Sequence, residues 1–271
     1  MYVLTRNTER FVLILTLVLI FFNNVHAGNL YNVVIISIDA LHPDALRRAE
    51  IPTLQQLMES GAYTLDGHST DPPKTLIAHT AMFTGMNPAE NGKKGNSWQP
   101  GQARVGRPTI FDSARSYGFR TGYFYSKQKL GYLINAAVDA HEWSRENSIG
   151  LAEAFIKTPG PHFMFLHVSG LDEVGPQYGW LSPEYLEELF YIDDYLSSLV
   201  DSIKGEKNFL IVITSDHAGH DKIHGSQHPE DYRLPLIISS DTVPVRNYLG
   251  ISFSVTDLKN IIENLLQEGS Y

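Results

Sequence analysis

Four short runs of consecutive apolar, largely β-branched residues constrain this chain most: YNVVIIS (31–37), HFMFLHVS (162–169), NFLIVIT (208–214) and LPLIISS (234–240). Runs that are apolar at every position, and not at alternate ones, suit strands covered on both faces, as in a parallel sheet layered between helices. A weaker run, RTGYFYS (120–126), predicts a fifth strand. Between them lie helix-like stretches at 52–60 (stopped by Gly61), 110–117 (stopped by Gly118), 149–157, 182–203 and 255–267. The longest opens with Ser182 as N-cap and Pro183 at the first helical position, and Ser254 is the expected cap of the last. Such alternation builds right-handed βαβ units. The expected architecture is therefore a single α/β domain with a mostly parallel central sheet and helices on both faces.

The N-terminus has a different character. Arg6 and Arg10 precede the twelve-residue apolar run FVLILTLVLIFF (11–22), and Val25, His26 and Ala27 follow where a signal peptidase cuts. The run is shorter than the roughly 18–20 residues of a membrane span. A signal peptide over 1–27 is expected, with an uncleaved anchor as the alternative, followed by the folded domain over 28–271 in the periplasm or outside the cell. The chain has no cysteine, so disulfides, thiolate metal sites and cysteine nucleophiles are excluded. Its net charge of −9 is spread along the sequence, without a basic, aromatic-laced patch. That speaks against a nucleic acid polymer as partner, while a small anion held through a metal stays compatible.

Three of the buried runs lead into aspartates: Asp39 after VVIIS, Asp172 after FLHVSGL and Asp216 after LIVITS. In an open parallel sheet the carboxyl ends of strands share one edge, where such folds bind ligands. Three carboxylates gathered there repel one another unless a cation sits among them. The stretch SDHAGHDKIHG (215–225) adds His217 beside Asp216, with His220 and His224 close enough to reach the same or a neighbouring ion, while His228 is expected to face solvent. Carboxylate and imidazole without thiolate suit zinc, with manganese or iron as alternatives. A nucleophile is on offer in DPPKTLIAHTAMFTG (71–85), which predicts a short helix ending at Gly85 with Thr75 at its N-terminus. There Thr75 is either a plain helix cap or, beside a metal, an activated hydroxyl.

Together the segments SIDALHPD, KTLIAHTAMFTGMNPAENG, GLDEVGPQYGW and SDHAGHDKIHG resemble the alkaline phosphatase superfamily, most closely its type I phosphodiesterase/nucleotide pyrophosphatase branch, over nearly the whole chain after residue 27. The resemblance implies a metal-dependent hydrolase of small phosphoric esters working with two zinc ions, Mn2+ being a possible substitute. One ion falls to Asp39, Asp216 and His217 and contacts the nucleophile Thr75. The second falls to Asp172 and two histidines, of which His224 matches one. Asn96 matches the asparagine that hydrogen-bonds a phosphoryl oxygen, and a phosphothreonine intermediate is implied.

One position departs from the pattern: the chain reads DEVGP, with Pro176 where the other histidine of the second ion is expected. Three outcomes are open: a second site completed by His220, Glu173 or water, an enzyme relying mainly on the first ion, or a degenerate member that binds without turnover. A sulfatase is disfavoured, since threonine stands where that branch needs cysteine or serine, and a phosphomutase by the lack of room for a cap. Lys74 is a candidate for steering an anion or a solvated lysine, and Tyr178 and Trp180 are loop aromatics that pack or line a pocket.

Overall fold

The computed structural model describes residues 30–270; the signal or anchor expected over 1–27 lies outside them. Eight strands form one sheet: β1 (Asn32–Ile38), β2 (Ala62–His68), β3 (Arg120–Tyr125), β4 (Ala140–Trp143), β5 (His162–Val168), β6 (Phe209–Thr214), β7 (Arg233–Ser240) and β8 (Phe253–Ser254). Their spatial order is β4-β3-β5-β1-β6-β7-β2-β8. Among the described residues eight α-helices accompany them: α1 (Pro52–Ser60), α2 (Thr75–Thr84), α3 (Pro88–Asn91), α4 (Ile110–Ser116), α5 (Ser148–Ile156), α6 (Gly170–Tyr178), α7 (Pro183–Gly205) and α8 (Asp257–Glu268). Among the described residues no helix is long and apolar enough to cross a membrane.

The central strand shows why the runs are continuously apolar. Val33 and Ile35 of β1 face a core shared with α2, α4 and α8, while Val34, Ile36 and Ile38 face a second core shared with α1, α5, α6 and α7. Alternate residues leave a strand on opposite sides, so a strand between two helical layers needs apolar residues at every position. The layering also uses polar ties. Asp193, buried on α7, accepts hydrogen bonds from the N–H groups of Thr53 (3.0 Å) and Leu54 (2.8 Å), satisfying donors at the first turn of α1 that no local side chain caps.

Three expectations need correction. The run at 234–240 forms a strand, but β7 runs antiparallel to both its neighbours, β6 and β2, while β4, β3, β5, β1, β6, β2 and β8 share one sense. The connection between β6 and β7 lacks the crossover helix that parallel strands require. Tyr178, expected in a loop, is the last residue of a helix, α6, which carries Asp172 in its first turn and accommodates Pro176. Ser254 does not cap α8: the N-cap position is Thr256, and the Asp257 carboxylate instead accepts the Ser254 N–H at 2.8 Å.

Candidate active site

Register fixes the level at which the functional side chains emerge. Tyr125 of β3 pairs with His167 of β5, His167 with Ser37 of β1, and Ser37 with Thr214 of β6. Two residues beyond that row, Lys127, Asp39 and Asp216 come out side by side at the carboxyl edge. Asp172 joins them from the first turn of α6, and His217 and His224 from the segment after β6. Ala40, immediately after Asp39, has φ of 63°, a left-handed conformation unfavourable for a residue with a Cβ. Its carbonyl accepts the Tyr185 hydroxyl (2.6 Å) and the Trp180 indole N–H (3.3 Å), and its N–H donates to Asp216 Oδ1 (3.2 Å). These bonds hold the turn that aims Asp39.

Each of the three carboxylates is anchored by one oxygen and leaves the other bare. Asp39 Oδ2 accepts from His167 Nε2 (2.9 Å) and Lys127 Nζ (2.5 Å), Asp216 Oδ1 accepts from Ala40, and Asp172 Oδ2 accepts from Lys127. Asp39 Oδ1, Asp172 Oδ1 and Asp216 Oδ2 are buried without a partner, as are His217 Nε2 and His224 Nδ1. The one other such atom among the described residues, Asn32 Nδ2, lies at the opposite end of β1. Buried polar atoms are rarely left unpaired, and four of these converge, the free oxygens of Asp39, Asp172 and Asp216 lying 3.4–3.7 Å from His217 Nε2, which marks a place for a cation.

The donors fit a divalent ion. His217 Nδ1 lies 3.0 Å from the carbonyl of Ala218; a carbonyl only accepts, so Nδ1 carries the proton and Nε2 presents a lone pair. That nitrogen stands 3.4 Å from Asp39 Oδ1 and 3.6 Å from Asp216 Oδ2. Ligands at about 2.0–2.1 Å from a tetrahedral zinc stand about 3.3–3.4 Å apart. Asp172, His217 and His224 form a second possible triad, with His224 Nε2 3.5 Å and His217 Nε2 3.7 Å from Asp172 Oδ1. Both triads draw on the same His217 lone pair, so they cannot both be complete.

Neither expected substitute for the missing histidine reaches the second triad. His220 is tied to Asp231 (2.7 Å) and stacks on His228 at 3.8 Å, forming a separate cluster, and Glu173 points outward to Arg145 (2.8 Å). Pro176 sits four residues after Asp172 on α6, one turn along the same face, and offers no ligand atom.

Thr75 is the first residue of α2 and is buried, with Lys74 at the N-cap making no side-chain capping bond. The Thr75 hydroxyl is thus not consumed in capping its own helix, and Lys127 Nζ lies 3.4 Å from it. Asn96 supplies the missing cap: its Oδ1 accepts the Leu76 N–H at 2.8 Å and Lys129 Nζ at 3.3 Å. Trp180 lies beneath His224 (ring centroids 5.6 Å). A Cβ on Gly219 would come within 2.4 Å of its indole, which is why glycine is required there. Tyr178 is exposed.

Sequence reasoning missed three side chains here: Lys127, His167 and His79. His79 on α2 is fully buried, with Nδ1 2.8 Å from the Thr75 carbonyl and Nε2 3.0 Å from Ser37 Oγ. The carbonyl again assigns the proton to Nδ1. Burial, only partly opposed by Asp216, pushes its pKa down to about 4, so it is neutral. For Asp39, burial acts to raise the pKa, but Lys127 and His167 together hold it well below the carboxylate range. Asp172 is pushed up by burial and by Asp39. His217 is disfavoured as a cation by burial, yet Asp216, Asp39 and Asp172 raise it above its ordinary value. Lys127 is likewise opposed by burial but kept charged by Asp39, Asp172 and Asp216.

A family model described as type I phosphodiesterase/nucleotide pyrophosphatase matches residues 33–232. GPI ethanolamine phosphate transferase 1 of Candida glabrata is 34% identical over 225 residues, 69% of this chain and 23% of that protein. The Yarrowia lipolytica protein of the same name is 37% identical over 78 residues, 27% of this chain and 8% of that protein. The chain thus spans less than a quarter of the length of these relatives. Among solved structures, an inactive threonine-to-alanine variant of murine ectonucleotide pyrophosphatase/phosphodiesterase 5 in complex with AMP superposes with a TM-score of 0.70. It is 13% identical, with 88% of this chain and 96% of that one covered. The C-terminal periplasmic domain of Escherichia coli EptC in complex with zinc gives 0.65 at 12% identity, covering 89% and 83%. At these identities the likeness is one of fold.

Proposed function

The chain belongs to the type I phosphodiesterase/nucleotide pyrophosphatase family, and from that premise we propose that it cleaves a small phosphoric ester through Thr75, with a phosphothreonine intermediate. The observation that carries this reading is a threonine hydroxyl at a helix N-terminus, unspent in capping, in a crevice with four bare ligand atoms. Asp39, Asp216 and His217 are the residues that would hold Zn2+, with Mn2+ as the alternative ion. When bound, such an ion supplies Lewis acidity, lowering the hydroxyl pKa and stabilising charge on the phosphoryl group.

The chain's own residues do the rest. Thr75 Oγ gives up its proton to solvent and attacks phosphorus in line, the Oγ–P bond forming as the ester P–O bond breaks. The departing oxygen keeps the bonding pair and takes a proton from water. Asn96 and the positive end of α2 stabilise the phosphoryl oxygens. A water oxygen then bonds to phosphorus, the P–Oγ bond breaks, and Thr75 regains a proton. Inactivity of the threonine-to-alanine variant of the murine protein supports a threonine in this role. Export, with the domain beginning after Ala27, belongs to the same proposal.

A second reading is favoured by the 34% identity with the Candida glabrata transferase: an alcohol replaces water in the second step, and the group moves from one ester to another. The deciding experiment follows p-nitrophenol release from phosphate mono- and diesters with added zinc or manganese, with and without alcohol acceptors. Thr75→Ala should abolish release while metal content stays nearly unchanged. Undiminished activity in that variant would refute the nucleophile. Retained metal without turnover of any ester in the wild type would favour a non-catalytic, phosphate-binding member of the fold.

A further inference from the structure

We propose that Lys127 is a catalytic residue of this site, its ammonium standing in for the second metal ion, so that the protein works with one bound ion and one fixed organic cation. The inference rests on the reading of Thr75 as nucleophile and adds what completes the charge around it. Lys127 follows β3 at the same level as Asp39 and Asp216, and its Nζ bridges the two would-be metal groups, contacting Asp39 Oδ2 and Asp172 Oδ2. The third direction of the ammonium is toward Thr75 Oγ at 3.4 Å. An ammonium has three protons and no acceptor, and here three oxygens surround it, one of them the attacking atom.

Two independent counts favour one ion. The ligand inventory closes at one: His217 has a single free lone pair, Pro176 has none, and His220 and Glu173 are turned to Asp231 and Arg145. That leaves Asp172 Oδ1 and His224 as a two-ligand remnant. The charge inventory agrees. Three carboxylates, Asp39, Asp172 and Asp216, are balanced by one divalent ion and the Lys127 ammonium with only the Lys129 charge in excess, whereas a second divalent ion would raise the excess to three charges before any substrate arrived. A fixed ammonium at Oγ does what an ion at that place would do for charge: it attracts the phosphoryl oxygens and stabilises the negative charge that builds as the P–O bonds exchange. Lys127 keeps all its protons throughout, so no proton is passed through it. Lys129, whose Nζ lies 3.3 Å from Asn96 Oδ1, puts a second lysine on the same side of the phosphoryl site.

The absence of cysteine makes a chemical test available. In the Lys127→Cys variant the single thiol can be alkylated with 2-bromoethylamine, rebuilding a lysine-like ammonium at that position alone. Metal per chain, measured by mass spectrometry after zinc loading and dialysis, should be one in the wild type. Ester turnover should fall about 100- to 1,000-fold in Lys127→Cys, the range for loss of one preorganised charge-stabilising donor, and return on aminoethylation. Recovery by alkylation also shows that the variant had folded. Two ions retained by the wild type, or Lys127→Cys turning over within threefold of it, would overturn the proposal. If Thr75→Ala stays active, the parent reading fails; if Thr75→Ala is dead and Lys127→Cys is not, only the role of Lys127 fails.

Discussion

Acid should destabilise the ion-free protein through His79, by an amount that follows from its surroundings. The ring has no solvent exposure and is neutral, donating from Nδ1 to the Thr75 carbonyl and accepting at Nε2 from Ser37. Its pKa falls from 6.5 to about 4 on folding, chiefly because burial penalises the cation, with Asp216 opposing. The unfolded chain therefore takes up a proton near 6.5 that the native chain refuses until about 4. Between those values the unfolded state binds more protons, so stability is fully present above 6.5 and is lost as the pH falls. The full effect is about 3 kcal/mol, at 1.36 kcal/mol per unit, of which about 2 kcal/mol is lost between pH 7 and pH 5. The assay is urea unfolding in the presence of a chelator at those two pH values, comparing wild type with His79→Gln, which keeps a donor and an acceptor but does not titrate. The variant should be less stable at pH 7 yet lose about 2 kcal/mol less on acidification. Equal losses in the two proteins would refute the assignment of a neutral, ring-bonded His79.

Two further outcomes are expected. Zinc should raise the thermal midpoint, and at 100 times its Kd should add about 2.7 kcal/mol of stability; because the carboxylates keep His217 protonated above its ordinary range, calorimetry in buffers of different ionisation enthalpy should detect proton release on binding. Tyr185→Phe removes the hydroxyl that donates to the Ala40 carbonyl and accepts the His42 N–H (2.9 Å). It should cost about 1–3 kcal/mol in urea unfolding and weaken zinc binding about 10- to 100-fold, since the same turn aims Asp39.

The legible parts of this molecule are those whose signal is contiguous. β1, β5 and β6 are apolar at every position because both faces are covered, and Asp39, Asp216 and His217 follow their strands within three residues. Thr75 and the glycine stop of its helix at Gly85, φ 68°, lie in one short segment. β2, β4 and β8 left no comparable trace. β2 alternates buried and exposed residues around Asp66 and Gly67, β4 is four largely exposed residues, and β8 is two residues long. Their pairing is decided by the neighbouring strand more than by their own composition. The sense of β7 was hidden for a related reason: a strand buried on both faces has the same composition whichever way it runs.

Lys127 was illegible because its partners are set by register and not by sequence distance. Within SKQKL it has the composition of a solvated turn, and nothing near it in the chain suggests a carboxylate partner. Asp39 is 88 residues before it and Asp172, its other partner, is 45 residues after it. The strand order β3-β5-β1-β6 and the row Tyr125, His167, Ser37, Thr214 place every residue two positions further on at one height. The same row explains His167 and Ser37, which share the face and level from which Asp39 and His79 can be held. A slip of one residue between β3 and β5 would turn Lys127 to the other face of the sheet, leaving Asp39 and Asp172 without the ammonium between them. The site is therefore a property of the parallel register, and the apolar runs that looked purely structural are what hold its charges in line.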